Sequence, residues 1–224
     1  MTDIQRRSPV FFASSVPART KKRENWNIVL EYENQGHGPW IIDLSHRSRW
    51  DMQDKNISDL PVFGTRVPEF PNTCSYQEGI LINRMNRTQA SIWHLAGENL
   101  EIPDDKAFTD ISDAAVFLAL AGDNIFSIAE KLTDYDFMDP QKQPPFLIQG
   151  PFSHVPCQIA VVKRGQIEGF PFSAHKSSLI LLTCSRGYAR DMVNAVLHAG
   201  QEFGIRPAGE DKFMEVLEHE YSTG

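Results

Sequence analysis

The sequence predicts an α+β protein built from two similar α/β subdomains with antiparallel sheets. Three observations carry this reading. The passages AVFLALAGDNIFSIAEKL (115–132) and SLILLTCSRGYARDMVNAVL (178–197) each join an apolar run to a polar turn and then to apolar residues at helical spacing. Between them, DPQKQPPFLIQGP (139–151) breaks regular structure with prolines and a glycine. Ahead of both, short apolar runs flank polar turns in the pattern of hairpins.

Taken in order, residues 1–25 read as a flexible N-terminal arm whose basic cluster, Arg19, Lys21, Lys22 and Arg23, is a solvated face. The first α+β half covers 26–138. Trp26–Tyr32 and 40–44 are expected strands, and the glycines of the intervening ENQGHGP, Gly36 and Gly38, are expected in a hairpin turn. Residues 80–85 and 90–95 are apolar and partly β-branched around a polar 86–89, which predicts a hairpin. After the acidic loop 98–105, residues 115–121 form a strand, and Gly122-Asp123 opens a helix bearing Ile125, Ile128, Ala129 and Leu132. Residues 139–151 are a connector, and the second half covers 152–218. There 158–163 and 179–182 are expected as neighbouring strands, with a long loop between them. Tyr188, Met192, Val193, Val196, Ala199 and Phe203 then make one helical stripe, stopped by Gly204 and Pro207. Residues 219–224 are a tail.

Composition limits the function classes. With 41% hydrophobic and 23% charged residues, the 224-residue chain suits a soluble globular protein. A net charge of -7 argues against binding a nucleic-acid backbone, which requires a basic excess. No stretch is long and apolar enough for a membrane span, and no export signal is visible. Cys74, Cys157 and Cys184 are odd in number and widely spaced, so a disulfide framework is not expected and a cytoplasmic setting is.

Three passages taken in order, GPWIIDLSHRSRWDM, TDISDAAVFLALAGDNIFSIAEKL and LLTCSRGYARDMVNAVLHAGQEFGIRPAG, resemble the glycine-cleavage T-protein family and the wider folate-binding aminomethyltransferase-like superfamily. Asp43, Leu44, Ser45 and His46 match its D-hydrophobic-S-H pattern, and Gly204 to Gly209 match G-hydrophobic-x-P-x-G. At the second pattern Gly122 stands as in the family, whereas Asp123 replaces the usual proline. The resemblance implies a T-protein-like folate-binding fold, and the chain's length implies one lacking the C-terminal β-barrel domain. The short relatives are the gamma subunits of heteromeric sarcosine oxidases, whose opening Arg6 to Pro9 also resembles.

The family's chemistry is only partly retained. Its members place an aspartate at the start of the strand after the central hairpin; here Gly79 or Ile80 stands there, and Glu78 is the nearest carboxylate. A second family pattern, G-Y-T-G-E-x-G-hydrophobic-E, supplies a carboxylate suited to the paired N–H donors of a pterin. In RGQIEGFPF, Glu168, Gly169 and Phe170 preserve part of it, and Pro171 replaces the terminal acid. Glu168 is therefore the one cofactor-binding candidate, for tetrahydrofolate, set against a solvated loop carboxylate. No catalytic and no metal-ligating residue is assigned.

Other chemistries are weaker. His154 and Cys157 lack the second pair of ligands that structural zinc needs. Ser45 and His46 are adjacent in sequence, which says nothing of a catalytic pairing in space. Cys184, before a helix, has a thiolate reading and a buried structural one. Arg186 and Tyr188 lie beside that turn, where an anionic ligand or a partner would meet them.

The resemblance with its missing acids implies an accessory gamma-type subunit of a heteromeric sarcosine-oxidase-like complex, oxidising or demethylating an amine and linked to tetrahydrofolate one-carbon metabolism. Flavin would sit on partner flavoprotein chains. The alternative is a compact tetrahydrofolate-dependent aminomethyltransferase or methyltransferase. A third reading, a scaffold resembling folate-binding iron-sulfur assembly proteins, rests only on Gly165-Gln166.

Overall fold

A computed structural model describes residues 5–96, 100–165 and 177–218. In chain order its elements begin with strands β1 (Pro17–Arg23), β2 (Trp26–Tyr32), β3 (Trp40–Asp43), β4 (Arg49–Gln53), β5 (Pro61–Val62) and β6 (Thr65–Arg66). Strands β7 (Cys74–Gln77), β8 (Ile80–Arg84), β9 (Gln89–His94), β10 (Phe108–Asp110) and β11 (Ala115–Gly122) follow, then helix α1 (Ile125–Glu130). The remainder is β12 (Phe146–Phe152), β13 (Val155–Lys163), β14 (Ser178–Ser185), helix α2 (Ala189–Ala199), β15 (Arg206–Ala208) and helix α3 (Glu210–Glu218).

Two-residue turns close four of the hairpins. Glu24-Asn25, Phe63-Gly64, Glu78-Gly79 and Ser153-His154 each place both central residues at positive φ, between the paired ends Arg23 and Trp26, Val62 and Thr65, Gln77 and Ile80, and Phe152 and Val155. This geometry matches the right-handed twist of the strands it joins.

A six-stranded sheet runs in the order β12-β13-β14-β11-β3-β15. All its neighbours are antiparallel except β15, which pairs parallel with β3. The similar passages thus lie side by side, because β11 and β14 pair along their full length from Ala115 with Ser185 to Gly122 with Ser178. Successive side chains of a strand point to opposite faces. Val116, Leu118 and Leu120 of β11 and Ile180, Leu182 and Cys184 of β14 pack under α1 and α2, with Ile125, Ile128, Met192, Val193 and Val196. Burying a side chain of this size stabilises the fold by roughly 1.5–3 kcal/mol.

The opposite face, with Ile42, Leu44, Phe117, Ala119, Ala121 and Leu181, packs on Leu81, Trp93 and Leu95 and on Phe213, Val216 and Leu217 of α3. Leu81 and Trp93 belong to a five-stranded antiparallel sheet, order β10-β4-β9-β8-β7. That sheet covers its outer side with a third cluster around Trp50, Met52, Ile82 and Ile92.

Several elements differ from expectation. Residues 17–23, placed in a flexible arm, are a strand paired with β2; its exposed, charged side chains carry no alternation to read. The 33–39 segment is no hairpin turn, because it leads from the β1–β2 ribbon to β3 in another sheet. β12 begins inside the 139–151 connector, and the six-stranded sheet takes strands from both sides of that stretch. The loop expected over 164–178 falls largely outside the described residues. Among the described residues no helix is long and apolar enough to cross a membrane.

Candidate functional site

The layer between the two large sheets is the candidate site, because it holds buried polar atoms without partners. Arg49 enters from β4, directly opposite Trp93 of β9. Its guanidinium lies 5.0 Å from the Phe117 ring centre, and the Trp93 ring meets that of Phe117 edge-on at 5.1 Å. A cation over an aromatic face is attracted by the ring quadrupole. Arg49 is fully buried and donates to the carbonyls of Ser112 and Ala115, the latter at 2.9 Å. Burial pushes its basicity down to about 10, with Asp43 and Asp110 opposing.

Neighbouring strands add Asn83 of β8, Ser91 of β9, and Thr183 and Gln158 of the facing sheet, all placed toward the layer by strand alternation. The Trp93 indole donates to Ser91 at 2.7 Å, Cys74 donates to Asn83 Oδ1 at 3.0 Å, and Thr183 donates to the Val116 carbonyl at 2.8 Å. Burial holds the Cys74 thiol far above its ordinary range. Among the described residues Arg49 Nε and Nη1, Asn83 Nδ2 and Gln158 Oε1 are buried without a hydrogen-bond partner. Each such orphan is costly unless a water or ligand completes it.

A pterin tests this donor set. Its amino-pyrimidine edge presents paired N–H donors and asks for a carboxylate. The layer offers mostly donors instead. Asp51, the acid on the Arg49 face of β4, already accepts from Gln53 at 2.5 Å and Gln89 at 2.7 Å. Glu78 sits exposed in the β7–β8 turn, so it does not supply the missing acid from there. Glu168 lies outside the described residues. The described side chains of this layer therefore do not fit a pterin's recognition edge.

Glu210, at the start of α3, is the one carboxylate among the fully buried described residues, and cations occupy it. Arg23 grips it with both terminal nitrogens at 3.0 and 2.8 Å. His46 Nε2 stands 2.7 Å away and Arg47 Nη2 2.6 Å away. Burial disfavours its charge, yet the bonds from His46 and Arg23 and the positive charges of His46 and Arg47 hold its proton affinity far below the carboxylate range. Burial itself lowers Arg47, against the attraction of Glu210. His94, nearby, is pushed down to about 4 by burial, then by the charge of Arg47, with a backbone hydrogen bond at Ala96 opposing.

This cluster gives the D-hydrophobic-S-H segment an architectural role. Asp43 accepts the Ser45 amide at 2.9 Å, Leu44 bonds Phe117 through the backbone at 2.9 Å, and Ser45 Oγ accepts the Phe117 amide at 3.2 Å. His46 completes the tie by reaching Glu210, so Ser45 and His46 point to different partners. His154 is exposed in a turn while Cys157 is buried, and no metal-binding group of three or more His, Cys, Asp or Glu occurs among the described residues. Arg186 donates to the Arg7 carbonyl at 2.5 Å, and Tyr188 is exposed.

Sequence reading missed Arg49, Asn83, Gln158 and Glu210. For Arg49, Asn83 and Gln158 the only signal was a polar residue at an inward position of an alternating strand, which looks the same as an outward one until the opposing sheet is known. Glu210 opens a helix, where an acid in the first turn reads as an ordinary solvated one.

No protein-family model and no curated protein matches the chain. Solved structures do match it in shape. Heterotetrameric sarcosine oxidase from Corynebacterium sp. U-96, in complex with pyrrole 2-carboxylate, superposes with a TM-score of 0.57 at 10% identity, over 73% of this chain and 84% of that one. Glycine cleavage system aminomethyltransferase T from Bartonella henselae superposes with a TM-score of 0.54 at 12% identity. That match covers 89% of this chain, which spans 58% of the aminomethyltransferase chain. At such identities the likeness establishes a T-protein-like fold.

Proposed function

We propose that this chain is an accessory, gamma-type subunit of a hetero-oligomeric amine-oxidising or demethylating complex similar to sarcosine oxidase. One observation carries the reading: the single fully buried carboxylate among the described residues, Glu210, is bound by Arg23, His46 and Arg47 and has no role left for acid-base work. The fold is supported in the same direction by its match to most of a chain from a heterotetramer. Phe11 and Phe70, 79% and 64% exposed, are apolar anchors of the kind that subunit contacts cover. Flavin chemistry would then proceed on partner chains, with this chain stabilising them through buried interface.

The test is isolation of the native complex from its source. Co-elution with a flavin-containing chain, weakened by Phe11→Ala or Phe70→Ala, is the expected result. A chain that elutes alone overturns the proposal. The rival transferase reading predicts tetrahydrofolate binding by the isolated chain, lost in Glu168→Ala. Titration calorimetry is expected to show no heat of binding with tetrahydrofolate.

A further inference from the structure

Cys157 on β13 and Cys184 on β14 stand directly opposite each other across the antiparallel ladder. Opposed residues in such a ladder hold their Cα atoms about 4.5–5.5 Å apart. A disulfide spans roughly 4.4–6.8 Å between Cα atoms, so the backbone already meets its requirement. Both side chains leave the sheet on the side covered by α1 and α2, within one apolar cluster. Both are free thiols.

The two thiols also interact directly with each other. Cys157 donates its S–H to the Val155 carbonyl at 3.2 Å. The contact between the two thiols, and then burial, pushes the Cys157 thiol up. The same contact holds the Cys184 thiol below its ordinary range, against burial. Two thiols in contact on facing strands are placed to act as attacking and resolving cysteines. Both residues are buried, at 7% and 5% exposure. Cys74 lies in the other large sheet and bonds Asn83.

We propose that Cys157 and Cys184 form a peroxide-responsive dithiol that closes reversibly into a cross-strand disulfide. The Cys184 thiolate attacks one oxygen of hydrogen peroxide; the O–O bond breaks, and hydroxide leaves to be protonated to water. Cys184 is then a sulfenic acid. The Cys157 sulfur, losing its proton, attacks the Cys184 sulfur; the S–S bond forms, the S–O bond breaks, and a second water leaves. Overall two thiols are oxidised and one peroxide is reduced to two waters. A small dithiol reductant reverses the closure by exchange.

Closure ties β13 to β14 across the chain between positions 157 and 184, and so reduces the freedom of the unfolded state. It also pins the end of β14 beside the 3-10 turn Arg186–Tyr188 that leads into α2. For a loop of this length the apparent Tm rises by on the order of 5–10 °C.

The experiment treats the purified full chain with excess hydrogen peroxide, alkylates it without reductant and maps its peptides by mass spectrometry. A linked pair containing Cys157 and Cys184, lighter by two hydrogens, is expected. Free thiols titrated under denaturing conditions fall from three to one and return to three with dithiothreitol. Cys74→Ser keeps the link, and Cys157→Ser or Cys184→Ser abolishes it. Three surviving thiols, a link that includes Cys74, or a sulfinic acid at Cys184 with no link overturns the proposal. The linkage is read on the unsubstituted chain, so the outcome does not depend on any variant folding.

Discussion

Replacing Glu210 with glutamine tests how the two ends of the fold are joined. The carboxylate takes both Arg23 nitrogens, His46 and Arg47, and it and Arg47 are 3% and 2% exposed. Glutamine keeps the shape but removes the charge that compensates a buried guanidinium. Breaking one partner of such a pair costs about 3–5 kcal/mol, a large part of the roughly 5–15 kcal/mol that holds a domain folded. In urea, with a slope of about 2–3 kcal/mol per molar, the midpoint is expected to fall by about 1–2 M, followed by tryptophan fluorescence. Glu202→Gln is the control, because its partner Lys131 and Glu202 itself are 40% and 64% exposed and such pairs are worth under about 1 kcal/mol. A Glu210→Gln midpoint inside the control's range refutes the reasoning. The pH dependence carries the same sign. Since the folded carboxyl is depressed, its contribution is fully present above its ordinary pKa near 4.5 and is lost as pH falls further. Acid titration of Glu210→Gln should lack that loss.

Two further outcomes are expected. His94, pushed down to about 4, stays neutral in the fold while the unfolded chain takes up its proton below about 6.5. Its contribution is therefore intact above pH 6.5 and declines toward pH 4, by at most about 3 kcal/mol; Tm measured between pH 7.5 and 4.5 should fall less steeply in His94→Gln, and equal slopes would count against it. At Gly209 a methyl group would sit 2.1 Å from the Leu30 carbonyl oxygen and 2.2 Å from its carbon. Backbone must move to admit it, so Gly209→Ala should cost about 3 kcal/mol or more by urea titration; a cost below 1 kcal/mol would mean that β2 yields freely.

What the sequence disclosed followed from burial. β11 and β14 are covered on both faces, and such strands read as unbroken apolar runs. α2 shows a stripe because one side packs on the sheet and the other meets water. β12 was hidden by Pro144 and Pro145 just before it and by its own Pro151. It lies at the edge of the sheet, where Pro151 has no outer neighbour for which to supply an N–H, so a breaker in sequence is harmless in place. β15 and α3 were too short to show a period, although Phe213, Val216 and Leu217 make one apolar face. The two-halves expectation came from local similarity, which registers the repeated unit. It does not register that both units contribute adjacent strands to one sheet, with both helices on the same face.

The candidate site was less legible for a related reason. The segments that carried the resemblance, DLSH and GIRPAG, meet in space: β15 pairs with β3, Pro207 opposite Ile41 and Ala208 opposite Ile42. Gly204 supplies the left-handed turn at φ 70° that ends the α2 region, and Gly209 the close approach to β2. One residue later Glu210 receives His46 from the other segment. Both segments thus serve one joint, and their likeness to a family reports how the chain is tied together. The orphaned donors of Arg49 and Asn83 and the acceptor of Gln158 lie elsewhere, in no recognisable pattern. A chain can keep such a joint, and so its T-protein-like fold, while the polar lining between its sheets changes. Stability constrains the buried charges at Glu210 strongly, whereas the lining has only to satisfy its own hydrogen bonds.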